Sequence, residues 1–208
     1  MIVVRNGVEV LLGRRSAGHV FMPERYVFPG GAVDRGDGRV QQHYKLRPVV
    51  HNKLQRSCSA PRASALAMAA IRETWEETGL LIGKRLPSPL TTRSLHWQSF
   101  FATGYAPALD ELDYVARAIT PPGAPRRFDA RFFLVDAVHA HGTLVGNGEL
   151  EDLAWIPLDE ALDVPLAGVT RLVMMLLKAR LTDAAAQPAD HTVPFYRELG
   201  GRSWIEHH

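Results

Sequence analysis

At 208 residues, 46% hydrophobic and 22% charged, the chain has the length and balance of one globular domain with insertions, which excludes a multidomain machine. Its 24 Lys+Arg against 22 Asp+Glu leave a formal charge of +2, too near neutral for nucleic-acid binding by bulk charge. The single Cys58 excludes an intramolecular disulfide framework, and neither a long apolar run nor a signal-peptide core is visible, so a cytoplasmic protein without membrane or nucleic-acid partners is expected.

In chain order, Ile2–Val4 and Val8–Leu12 flank Asn6-Gly7, a pair suited to a hairpin turn because both residues accept positive φ. Ser16–Arg25 reads as a loop. Tyr26–Phe28 is a short strand running into Pro29-Gly30-Gly31, where paired glycines let the backbone bend or approach a ligand. From Gly38 to Arg72 there is no acidic residue. Gly38–Ala60 lacks a clean period and reads as a basic insertion. Pro61 then opens a helix that stops at Gly79, with Ala63, Ala67, Ala70, Ile71, Thr74 and Thr78 as its core stripe. Leu95–Tyr105 and Leu109–Ile119 are expected to be two more helices, broken by Pro121–Pro125. Phe128–Val138 and Asp152–Ile156 read as strands and Val169–Leu181 as a helix. A single domain over 1–208 results, with insertions at about 38–60 and 88–125. Its fold class is α/β, a sandwich of helices about a mixed sheet.

The chemistry concentrates in Arg72-Glu73-Thr74-Trp75-Glu76-Glu77-Thr78-Gly79. At 100° per residue the three glutamates share an arc of about 100° beside the core stripe. Glu73 and Glu77 repel at i,i+4, and Glu76 and Glu77 occupy a last turn whose dipole disfavours anions. A solvated acidic face with an Arg72–Glu76 ion pair is the bland alternative. Carboxylates set against their own helix field call for a cation, and an oxygen-only donor set suits Mg²⁺ or Mn²⁺.

These residues resemble the Nudix box, Gly-x5-Glu-x7-Arg-Glu-U-x-Glu-Glu-x-Gly-U. Arg72-Glu73, Glu76-Glu77 and Gly79-Leu80 match its second half, and Gly31 with Asp37 its first. Two departures stand out. Asp37 replaces a glutamate, and 34 residues separate it from Arg72 where the box has seven. A long insertion in the box is similar to one branch, the coenzyme A diphosphatases of the mammalian peroxisomal type. That branch also shares Phe21-Met22-Pro23, Val27-Phe28, the aspartate after the glycine pair, Thr120-Pro121, Arg127-Phe128-Asp129 and Phe132-Phe133. The resemblance runs over roughly Val8–Leu181 and leaves the last 27 residues unplaced.

The resemblance implies a Nudix-type α/β/α sandwich and a metal-dependent pyrophosphatase. Glu73, Glu76 and Glu77 would ligate Mg²⁺ or Mn²⁺, the Gly31 carbonyl could add a ligand, and Arg72 would orient the glutamates. A general base six positions before a tryptophan points to Glu149, ahead of Trp155, against the alternative of an exposed loop acid. Coenzyme A or an acyl-CoA is the leading small-molecule nucleotide substrate. ADP-ribose, NADH and oxidised nucleotides stay open, as does a catalytically weak metabolite sensor. A second coenzyme A signature is half matched by Leu11–Ser16. Residues 38–71 carry a local charge of +6, so Arg47, Lys53 and Arg56 are candidates for the substrate's 3′-phosphate, and Arg127 for another substrate contact. Solvated charges, and for Arg127 an internal ion pair, are the alternatives. Cys58 has no histidine arrangement around it, and no phosphate-binding P-loop is present. A homodimer is left open.

Overall fold

The computed structural model describes residues 1–18, 22–120, 123, 127–182, 192–199 and 202–207. Phe21 of the first shared stretch and all but Gly123 of the Pro121–Pro125 break lie outside these. The chain opens with β1 (Ile2–Arg5) and β2 (Glu9–Arg15), paired antiparallel with Val4 opposite Val10. Asn6 and Gly7 take φ of 54° and 70°, as the turn requires. β3 (Tyr26–Val27) lies along the end of β2.

Two helices follow. α1 (Pro48–Gln55) falls in the stretch expected to be aperiodic, and it buries only Val50 and Leu54. α2 (Ala60–Thr78) keeps the expected bounds and ends at Gly79, in the left-handed region at φ 71°. Beyond it come β4 (Leu81–Arg85), α3 (Leu95–Ala102) and β5 (Tyr105–Pro107).

The second expected helix of that region is corrected by the structure. After one 3₁₀ turn at Leu109–Glu111, Asp113–Ile119 is a strand, β6, in the middle of the main sheet rather than in an insertion. Its buried positions, Tyr114, Ala116 and Ala118, alternate with half-buried ones, the period of a strand. β7 (Asp129–Asp136), β8 (Ala140–His141), β9 (Leu150–Pro157), α4 (Gly168–Thr182), β10 (Pro194–Leu199) and β11 (Arg202–His207) complete the order. The last two strands occupy the region that the sequence left unplaced.

The main sheet runs β11-β10-β6-β7-β1-β2-β3, with β9 along the other edge of β2. It is mixed: β1 pairs parallel with β7, β10 pairs parallel with β6, and the other ladders are antiparallel. A three-stranded sheet, β5-β4-β8, stands beside it. Alternation in β1 and β2 divides the core. Val3 and Leu11 join Ala63, Ala67, Met68 and Ile71 of α2, with Leu54, Trp97 and Phe100, on one face. Ile2, Val4, Val10 and Leu12 join Val173, Met174 and Leu177 of α4 on the other. Helices thus cover both faces, the α/β/α sandwich expected. Among the described residues, no helix is long and apolar enough to cross a membrane.

Candidate active site at the end of helix α2

Burying the stripe of α2 against the sheet fixes where its glutamates go. Thr74 and Thr78 are fully buried, and the carboxylates that flank them are carried to the edge of the core. Glu77 is 7% exposed, and its Oε2 accepts the Gly30 N–H at 2.7 Å. Burial pushes its carboxyl up to about 8, with the Gly30 N–H opposing and the neighbouring Glu73 adding to the rise. Burial also raises Glu73, against the pull of Arg72. The Glu73 carboxylate lies over Gly31, where a Cβ would come within 2.5 Å of it. The paired glycines are therefore needed at one point, where the loop backbone passes under two carboxylates.

Arg72 is the hub of the box. Its guanidinium, 3% exposed, donates to both oxygens of Asp37 at 2.9 and 3.1 Å and to the Ala32 carbonyl at 2.9 Å. Nη1 lies 2.9 Å from Glu73 Oε1 and 2.7 Å from Glu76 Oε2. Burial opposes its charge, but the three carboxylates outweigh it and hold Arg72 above its already high ordinary pKa. Asp37, fully buried, also accepts the Asp34 N–H at 2.8 Å and the Trp97 indole N–H at 2.9 Å. The shorter acid is thus engaged in holding the arginine.

The loop after β8 closes the site. Val145 N–H donates to Thr78 O at 2.9 Å, and a Cβ on Gly79 would meet Thr143 O at 2.7 Å, so this loop covers the end of α2. It carries Glu149, which is exposed and lies close enough to Glu77 to raise its pKa. Ser16 N–H reaches the Glu149 carbonyl at 3.4 Å, tying the loop to the end of β2. Arg15 stands at that strand end. Burial holds its pKa below the ordinary range, and Glu77 pulls it back up. In the sequence Arg15 belongs only to the Leu11–Ser16 motif; its proximity to Glu77 comes from the fold. An open cleft of about 540 Å³ borders Glu76, lined also by Trp75, His96, Ser99, Gly146 and Asn147.

Arg47 is ion-paired with Asp113 and donates to Leu112 O at 3.2 Å. Lys53 and Arg56 line a small recess with Tyr114, Arg117 and Phe195, a lining that includes none of the glutamates. Arg127 is exposed just before β7, while its neighbour Asp129 pairs with Arg117 at 2.8 Å and with Arg131 at 2.7 Å.

Among the described residues no three acids, histidines or cysteines converge as ligands around one point: Glu76 faces Arg72 and His96, and Glu77 faces the loop. The donor set nonetheless suits a hard divalent cation. It is all oxygen, and two of its carboxylates are buried against their ionised form, which a cation would stabilise. Such a group of residues can bind a cation, hold a polyanion against it and take a proton from water.

Comparison with known proteins agrees with this geometry. The NUDIX domain profile matches residues 61–176, more than half of the chain. The Caenorhabditis elegans protein named "Putative nudix hydrolase 7" is 26% identical over 172 residues, covering 76% of this chain and 50% of its own length. The chain thus spans about half the length of that curated relative. The crystal structure of a NUDIX hydrolase from Alicyclobacillus acidocaldarius superposes with a TM-score of 0.70 at 29% identity, covering 91% of this chain and 94% of its own. A MutT protein from Bacillus halodurans shares the fold alone, at TM-score 0.50 and 15% identity over 99% of this chain and 94% of its own. With the box residues gathered about Arg72 and the profile spanning the helix that carries them, the chain belongs to the Nudix family.

Proposed function

We propose that this protein hydrolyses a phosphoanhydride bond in a nucleoside-diphosphate-linked substrate, with coenzyme A or an acyl-CoA as that substrate and water attacking phosphorus. The products are 3′,5′-ADP and 4′-phosphopantetheine or its acyl form. The observation that carries the reading is the burial of Glu73 and Glu77 against the Gly30-Gly31 backbone, with both carboxyls raised in pKa. Groups placed so are functional-site candidates on electrostatic grounds. Glu73, Glu76, Glu77 and the Gly31 carbonyl would hold Mg²⁺ or Mn²⁺. A bound divalent cation supplies charge neutralisation of the diphosphate and polarisation of its oxygens.

The chain's own residues do the rest. Arg72 fixes Glu73 and Glu76 from one nitrogen. Glu149, exposed at the mouth, takes the proton from the attacking water. Arg15 adds positive charge beside the phosphates, and the cleft along Trp75, His96 and Asn147 receives the remainder of the substrate. Coenzyme A is favoured by the motifs shared with the diphosphatase branch and by the insertion within the box.

A panel assay with Mg²⁺ against coenzyme A, ADP-ribose, NADH and dinucleoside polyphosphates tests the reading. Coenzyme A is expected to give the highest kcat/KM, with activity abolished by excess EDTA. Turnover that survives EDTA, or none on any diphosphate, would overturn the hydrolase. A preference for ADP-ribose or NADH would overturn the substrate alone.

A further inference from the structure

We propose that Trp97 is a positioning residue for the box carboxylates, acting through Asp37 and Arg72, so that helix α3 is a working part of the site. The inference rests on the proposed role of Glu73, Glu76 and Glu77. A fully buried carboxylate has room for about two donors on each oxygen, and the set that fills them fixes its position. Asp37 Oδ2 has two, Arg72 Nη2 and the Asp34 N–H. Oδ1 has Arg72 Nε and the Trp97 indole N–H, each at 2.9 Å. Of these donors only Trp97 comes from outside the box and its loop, reaching in from 60 residues along the chain.

The indole is itself fixed. Trp97 is fully buried, with ring centroids 5.3 Å from Phe100 and 5.5 Å from Phe101. A second contact seats α3 on the same loop: a Cβ on Gly36 would lie 2.4 Å from Ser94 Oγ, at the start of that helix. The line of support therefore runs from the aromatic cluster through the indole N–H to Asp37. It continues through Arg72 to its Nη1, which holds Glu73 and Glu76. An aspartate is one methylene shorter than the glutamate of the family box, and the indole N–H fills the depth which that leaves.

Trp97→Phe keeps a ring in the cluster, removes the donor and leaves a small space beside Asp37. It should lower kcat by about 10–100-fold, with KM changed less than about twofold, as the loss of a supporting shell does. In ¹H–¹⁵N spectra of the substrate-free protein the Arg72 Nε–H signal should lose its protection from exchange. Leu177→Ala, a cavity on the other face of the sheet away from the Trp97 cluster, should lower Tm at least as much yet leave kcat and the Arg72 signal unchanged. Asp37→Glu should be disruptive alone, by overpacking, and regain activity in the Trp97→Phe background, where space has opened.

The proposal is overturned if Trp97→Phe keeps the protected Arg72 signal, or if its effects and those of Asp37→Glu simply add. The Arg72 signal needs no turnover. A wild-type protein inactive on every substrate would therefore sink the hydrolase reading and leave the clamp to be decided by the spectra.

Discussion

Glu77 couples folding to chemistry through a single carboxyl. Its ordinary pKa of 4.5 becomes about 8 in the folded chain because burial disfavours the anion. Below pH 4.5 both folded and unfolded states hold the proton, and the full difference favours folding. As pH rises from 4.5 toward 8 the unfolded chain releases a proton that the folded chain retains, so stability falls, and above 8 the contribution is gone. Glu77→Gln carries no such proton and still accepts the Gly30 N–H through its amide oxygen. Without metal, the variant should be more stable than the wild type at about pH 8.5, by on the order of a few kcal/mol in unfolding free energy and with a higher Tm, and the gap should close toward pH 4.5. In the presence of Mg²⁺ the same variant should lose several orders of magnitude in kcat. Thermal melts across pH with EDTA, set beside steady-state rates, check both halves; a variant that melts lower at pH 8.5 would show that the carboxylate is not held against its charge.

Elements differed in how well the sequence announced them. Helix α2 could be read from both ends, because Pro61 and Gly79 have few other uses at such positions, and its stripe held except at half-buried Ala70. The glutamates were legible for the same reason: residues on one helix share a face by arithmetic. Strand β6 was misread. Its inward Ala116 and Ala118 favour helix by propensity. A register shift lies between Tyr114 and Ala116, which pack in opposite apolar clusters although burial alternates along the strand. Helix α1 stayed hidden because two buried residues in eight make no visible period. The Trp97–Asp37 contact could not be read, since nothing local reports a partner 60 residues away.

The placement of α1 gives Arg47 a partner within the fold. Arg47 begins the helix and grips one oxygen of Asp113, while Arg180 of α4 holds the other at 3.0 Å. Arg47→Ala should therefore lower stability by about 0.2–1 kcal/mol, the range of partly exposed pairs, and leave KM for coenzyme A unchanged. Thermal unfolding with steady-state kinetics separates the two. A rise in KM without a fall in Tm would return Arg47 to the substrate.

The molecule as a whole is held at its centre by β1, which takes β2 on one side and β7 on the other. The first ladder closes within a dozen residues, whereas the second joins Ile2 to Leu134 and Val4 to Asp136. Long loops of this kind close late. During synthesis, then, the β1–β2 hairpin leaves the ribosome with Ile2, Val3 and Val4 along an edge that has no neighbour. The carboxylate-bearing helix follows it out long before the sheet that will cover its alanine stripe exists. Open apolar edges of this sort recruit other chains. Nascent chains arrested before Asp129 should therefore associate or be held by chaperones, whereas those extending beyond Thr182, which add β7, β9 and the covering helix α4, should escape, as sedimentation of ribosome-released fragments would reveal. Monomeric, soluble fragments ending before Asp129 would contradict this. The parallel ladder that centres the finished sheet thus makes the newborn chain depend on protection until its second half arrives.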